Sequence, residues 1–141
     1  WGYIEDEKYA LMIKNLDSAG LVSWRGFLST STLQEELCHC RALINTPKWN
    51  EAYGNVVVEA MACGVPVVAY RRGGPSEIIQ HGLTGFLVEP ENKKELLKYL
   101  KQINTLDRSK CRSWVENNAS INIFTDKVEN WVQKIIKDFK N

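Results

Sequence analysis

No two of the four cysteines, Cys38, Cys40, Cys63 and Cys111, stand in C-x-x-C spacing. A chain of 141 residues needs no covalent staple to fold, so a disulfide scaffold is excluded and reduced thiols are expected. The Cys38-His39-Cys40 triplet has no second ligand cluster, and side chains two apart on a helix diverge, so it reads as structural and not as a metal site. A basic stripe is missing too: 18 Lys and Arg balance 17 Asp and Glu at a net charge of +1, spread along the chain, which argues against nucleic acid as a partner. The most apolar run, 56–70, is broken by Glu59, Gly64 and Pro66, and no signal peptide opens the sequence. A cytoplasmic protein is expected, peripheral to a membrane only through some further domain. Repeats and low-complexity linkers are also lacking.

What is present is 44% hydrophobic and 25% charged residues, ordinary for one packed domain, here residues 1–141. Helix-like and strand-like segments alternate throughout, the mark of an α/β fold on a parallel sheet with helices on both faces, a Rossmann-like doubly wound unit. The spacing predicts a helix over 5–20 ending at Gly20, a strand in "LVSWRGFL" (21–28) and a helix in "STLQEELCHC" capped by a hydroxyl residue. Next come a strand in "RALINTP" ended by Pro47, a helix in "VVVEAMACG" closed by Gly64 and a buried strand in "VPVVAY". After the "RRGG" loop follow a Pro-led short helix "PSEIIQHG", a strand "TGFLV" and the helix "ENKKELLKYLKQI", acidic at its start and basic after. Residues 108–141 read as two closing helices with Trp114, Phe124, Val128, Trp131, Ile135 and Phe139 on apolar faces. Such a unit normally leads with a strand, and this one leads with a helix, so the first strand is expected to be missing and the chain to be a fragment.

In the stretch that runs from "WNEAYGN" to "CGVPVV" two carboxylates stand eight positions apart, Glu51 and Glu59. Glu59 lies mid-helix among Val56, Val57, Met61 and Ala62, where a buried carboxylate needs a partner. That partner is either an arginine, Arg25, Arg71 or Arg72, or a set of sugar hydroxyls, since an ionised carboxylate accepts several hydrogen bonds. Glu51 precedes the helix at the carboxyl edge of a parallel sheet, where open α/β folds place ligands. Asn55 is the expected N-cap, and the amides of the first turn make an anion site. Were the whole stretch helical, the carboxylates would stand about 12 Å apart along the axis; a loop before the helix shortens that to the span of a nucleotide-diphosphate sugar.

"EAYGNVVVE", followed in register by "AMACGVPVVAY", "GGPSEII", "HGLTGFLVEP" and "N-x-x-E-L", resembles the donor-binding C-terminal domain of GT-B retaining glycosyltransferases of the family 4 type. The resemblance runs from Val22 to Leu100, with a weaker echo to Ile136. It implies that Glu51 holds donor-sugar hydroxyls near the reacting carbon and stabilises charge there, that Glu59 takes the ribose hydroxyls, and that Tyr53, Gly54, Asn55 and Val56 meet sugar and diphosphate through their backbone. Phe27 and Leu28 match the position lining the nucleobase. It implies no metal and no cofactor, a nucleotide-sugar donor, UDP-linked by expectation, and an N-terminal acceptor domain of the same parent chain as partner. The acceptor, whether polysaccharide, lipid or small molecule, stays open.

The sequence also departs from that pattern. The Arg and Lys that the family supplies to the diphosphate from a "GR-x(4)-KG" segment are absent, so this chain by itself is expected not to catalyse transfer. Ala52 stands where glycine is common and Asn55 where an aliphatic is common. Arg71 and Arg72 are secondary phosphate candidates beside Gly73 and Gly74, whose expected role is close backbone approach. Glu77 and His81 read as surface or packing residues, and Trp24, Trp114 and Trp131 as core; Trp49 is a candidate contact to acceptor or partner domain. Two rival readings remain: a nucleotide-sugar epimerase of the same architecture, and a binding or interaction module that has lost the chemistry.

Overall fold

A computed structural model of the chain describes Ile4 and residues 6–139. They fall into two compact units divided between Glu36 and Leu37.

The first unit holds α1 (Glu7–Leu16) and most of α2 (Thr30–Cys38). The Asp6 carboxylate accepts the Tyr9 amide at 2.9 Å and starts α1, which stops at Leu16, short of Gly20. Its end is set by Asp17, whose carboxylate accepts the amides of Leu21 and Val22 at 2.8 and 2.7 Å. Those bonds also explain why 21–28 is not the expected strand. Two of its amides are spent on Asp17, and Gly26 turns to φ +63, which breaks an extended run. Trp24, expected in the core, is exposed. Ser29 starts α2 as expected, its hydroxyl accepting the Thr32 amide at 3.3 Å.

The second unit is built on three parallel strands in the order β1 (Leu43–Asn45), β2 (Val67–Tyr70), β3 (Gly85–Val88). Leu43 registers with Val67, and Val67 with Gly85. Alternation along β2 divides the core: Val67 and Ala69 pack with Leu87, Val57, Met61 and Cys111 on one face, while Val68 packs with Phe86, Val88 and Ile103 on the other. The first face is covered by α3 (Asn55–Ala62), α4 (Pro75–Ile78) and α6 (Arg108–Asn118), the second by α5 (Lys93–Gln102) and the 3-10 turn Ile103–Thr105. Covering both faces removes the sheet from water, and Val67, Val68, Ala69 and Val88 are fully buried. This is the expected Rossmann-like doubly wound arrangement.

Local chemistry sets the helix ends. Gly64, at φ +69 just past α3, closes it as predicted, and Pro75 opens α4. Asn92 and Glu95 cap α5 reciprocally: the Asn92 side chain accepts the Glu95 amide at 3.1 Å, and its Nδ2 donates to Glu95 Oε2 at 3.3 Å. The Asp107 carboxylate accepts from the Ser109 amide and hydroxyl at the start of α6, which lowers its pKa. The closing helix α7 (Ile121–Phe139) has no buried residue, so Trp131 is exposed where a core position was expected, whereas Trp114 packs against the sheet-covering cluster. No helix among the described residues is long and apolar enough to cross a membrane.

Candidate functional site

The carboxyl ends of β1 and β2 open into two loops, 46–54 and 71–74, and these hold each other in place. The Gly74 amide donates to the Glu51 carbonyl at 2.8 Å. A Cβ built on Gly73 would stand 2.0 Å from that carbonyl oxygen, and one on Gly74 would stand 2.3 Å from the carbonyl oxygen of Tyr53. No side chain fits in either gap, because both glycines pack against the chain's own Glu51–Tyr53 backbone. Arg72, a phosphate candidate, points its guanidinium at the carbonyls of Pro47 and Lys48 and secures the same loop from below. Arg71 pairs instead with Glu89 at 3.1 Å on the surface.

Within this loop the half-buried Glu51 carboxylate accepts a hydrogen bond from Trp49 Nε1 at 3.2 Å. The indole of Trp49 is otherwise exposed. A tryptophan expected to meet an acceptor or partner thus also aims the carboxylate. The i, i+2 spacing in "WNE" was the available signal for this, and it is too common to be read as one.

The helix behind the loop starts differently from expectation. Gly54, at φ +91 and ψ +58, is the N-cap of α3, and Asn55 is its first helical residue. The left-handed backbone there suits glycine, and a Cβ would come within 3.3 Å of Pro75 Cγ, so a side chain at the cap position would press on that proline. No side chain caps the helix; the Val57 amide turns back to the Gly54 carbonyl at 2.9 Å, which leaves the amides of Asn55 and Val56 at the positive end of the dipole.

Glu59 was expected to be a buried carboxylate in need of a partner; it is exposed. Residues 57, 60 and 61 form the buried face of α3, and Glu59 falls on the opposite side of a helix with 3.6 residues per turn. The three arginines considered as its partners bond elsewhere, Arg25 to Glu36, Arg71 to Glu89 and Arg72 to main-chain carbonyls. The carboxylate instead lines a cleft of about 700 Å³ together with Tyr53, Asn55 and Val58. The opposite wall comes from the α6–α7 junction, Asn118, Ala119, Ile121, Phe124 and Lys127. Lys127 Nζ donates to the Asn118 carbonyl at 3.2 Å, close to the junction. Nothing local in the sequence announced this wall, because it lies some sixty residues downstream and is assembled only by the packing of α6 on α3.

The structure therefore gathers Glu51, Tyr53, Gly54, Asn55, Val56, Glu59, Gly73 and Gly74 around one edge, with Tyr53 and Val56 exposed. Phe27 and Leu28 belong to the first unit, in a stretch without regular structure, where Phe27 is exposed and Leu28 half-buried. Two polar atoms that sequence reasoning missed, Asn45 Nδ2 at the end of β1 and Ser76 Oγ in the first turn of α4, are buried at the same edge with no hydrogen-bond partner. Chemically the edge offers two carboxylates for hydroxyl groups, an uncapped helix end for an anion, and a largely apolar cleft beside Glu59.

The model of the glycosyl transferases group 1 family matches residues 2–120. Sucrose synthase 3 of Arabidopsis thaliana is 36% identical over 96 residues, 65% of this chain and 12% of that protein. Sucrose synthase 4 of Oryza sativa subsp. japonica is 32% identical over 118 residues, 79% of this chain and 14% of that protein. Among solved structures, Anabaena HepE in complex with UDP superposes with a TM-score of 0.75 at 26% identity, over 89% of this chain and 36% of that one. Its complex with UDP-glucose gives 0.74 at the same identity and coverage. The chain thus spans only about an eighth of the length of these curated relatives. On the family match and the shared fold together, this chain belongs to the glycosyl transferases group 1 family.

Proposed function

We propose that this chain is the donor-binding domain of a metal-independent, retaining glycosyltransferase that takes its sugar from a nucleotide-sugar, UDP-linked. The observation that carries the reading is the placement of Glu51 and Glu59 either side of the uncapped start of α3, one carboxylate steered by Trp49 and the other on the cleft. Supporting it, the similar HepE was crystallised with UDP and with UDP-glucose.

In this reading the diphosphate rests on the amides of Asn55 and Val56 at the start of α3, where the helix dipole favours negative charge without a side chain. Glu59 accepts the two ribose hydroxyls, which is a role an exposed, unpaired-by-arginine carboxylate can fill at no desolvation cost beforehand. Glu51 holds the donor-sugar hydroxyls and stabilises positive charge developing at the reacting carbon, while the leaving phosphate takes the acceptor proton. A second Rossmann domain of the parent chain brings the acceptor, and the exposed apolar side of α7 is the surface on which such a domain would rest.

Calorimetric titration with UDP, GDP and UDP-glucose, on the chain and on Glu59→Ala, tests the proposal. Loss of two hydrogen bonds to a carboxylate is expected to weaken UDP binding by about 2–4 kcal/mol, roughly 30- to 1,000-fold. Equal binding of UDP by the variant, or a preference for GDP, would overturn the assignment of ribose or base.

A further inference from the structure

Cys38, the last residue of α2, and Cys63, the residue closing α3, are brought together in the second unit although 25 positions separate them. Their side chains are neighbours, and after burial it is Cys38 that raises the Cys63 pKa. One guanidinium fixes the backbone on both sides: Arg108 Nη2 donates to the Cys38 carbonyl at 2.9 Å, Nη1 to that of Cys40 at 3.2 Å, and Nε to that of Gly64 at 2.7 Å. Neighbouring thiols on two main-chain segments held by one guanidinium have the proximity that a disulfide requires. The other two cysteines are placed differently. Cys111 is fully buried and donates to the Thr84 carbonyl at 3.4 Å, and Cys40 packs against the core.

We propose that Cys38 and Cys63 form a redox-modification site, a dithiol that closes to a disulfide when it meets a low-molecular-weight disulfide of the glutathione class. Cys38 is exposed and attacks first. Its thiolate displaces one small thiolate from the reagent and forms a mixed disulfide. The Cys63 sulfur then attacks the Cys38 sulfur, forms the Cys38–Cys63 bond and expels the second small thiolate. The pair gives up two electrons and two protons, and the reagent leaves as two thiols. Burial and the Cys38 neighbour raise the Cys63 pKa, which suits it to the second, intramolecular step, where proximity compensates for a small thiolate fraction. The Cys63 amide bonds to the Glu59 carbonyl at 3.2 Å, so the cross-link ties down the last turn of the helix that carries Glu59.

The test is equilibration of the whole chain with oxidised and reduced glutathione at graded ratios, followed by acid quenching, thiol titration in denaturant and fragment sequencing by mass spectrometry. Four titratable thiols should fall to two, with Cys38 joined to Cys63 within one chain. Cys63→Ser should trap glutathione on Cys38, Cys38→Ser should leave Cys63 reduced, and Cys40→Ser should cross-link as the parent does. An unchanged thiol count, a glutathione adduct on Cys38 that persists in the parent chain, or a link to Cys40 or between two chains would each overturn the proposal. Because the parent chain supplies the primary readout, misfolding of a variant cannot rescue it.

Discussion

Gly73 answers to two constraints at once, a left-handed backbone at φ +55 and a neighbouring carbonyl where a Cβ would have to go. The first costs an L side chain about 1 kcal/mol, and the second cannot be met without moving the Glu51 loop. Gly73→Ala is therefore expected to lose more than about 2 kcal/mol in urea unfolding and to lose UDP-glucose binding in calorimetry. Trp49 permits a subtler separation. Trp49→Phe keeps an aromatic ring and removes the Nε1 donor to Glu51, so UDP should bind unchanged while UDP-glucose weakens by about 1 kcal/mol, roughly fivefold; equal weakening of both would sink the orienting role. Cys111 tests the core by pH. Burial pushes its thiol up to about 11 from an ordinary 9.0, so the folded state resists ionisation that the unfolded chain accepts. Its contribution is full below pH 9 and declines as pH rises toward 11. Cys111→Ala should flatten the alkaline limb of stability against pH over that window, and an unaltered limb would show that another group governs it.

Among the elements, α3 decides the geometry of the site, and both its ends are set by glycines in left-handed conformations, Gly54 and Gly64. The sequence pointed to Gly64 because a C-terminal glycine is a strong stop signal; it pointed to Asn55 over Gly54 because asparagine caps well in general. The left-handed backbone of Gly54 settled the choice, and Pro75, twenty-one residues on and 3.3 Å from its Cβ position, leaves a side chain little room there. At the far end, Arg108 joins the ends of α2 and α3 to the start of α6 through three carbonyls that would otherwise face water or each other. Arg108→Met retains the aliphatic stem and removes the donors. It is expected to cost about 1–3 kcal/mol in urea unfolding, and a loss within experimental error would mean that solvent replaces the guanidinium freely. The unformed strand at 21–28 teaches the same lesson from the other side. Its apolar residues and aromatics favour extension, but a strand exists only with a ladder partner, and Asp17 had already claimed two of its amides.

Across the whole molecule, the unusual surface is that of α7, where Ile121, Phe124, Trp131 and Phe139 are between 63% and 87% exposed. A helix this apolar on one side is normally covered. The chain is expected to self-associate with rising concentration in sedimentation velocity. Trp131→Glu should suppress that without lowering the melting temperature, because Trp131 is 63% exposed and supports little packing of its own chain; a variant that melts early would show the helix is structurally required. The sequence by itself determined the alternation of helices and strands from 30 onward, the parallel sheet with both faces covered, and the membership of Glu51, Tyr53, Gly54 and Glu59 in one stretch. Hydrophobic periodicity, prolines and glycines act over a few residues, so a linear reading captures them. Only the tertiary structure decided that Glu59 faces a cleft instead of the core, that Trp49 steers Glu51, that Gly73 and Gly74 cradle the Glu51 loop, and that Asn118 to Lys127 wall the site. Each of these depends on which side of an element meets which neighbour, and that follows from packing between segments distant in the chain, which no local pattern encodes.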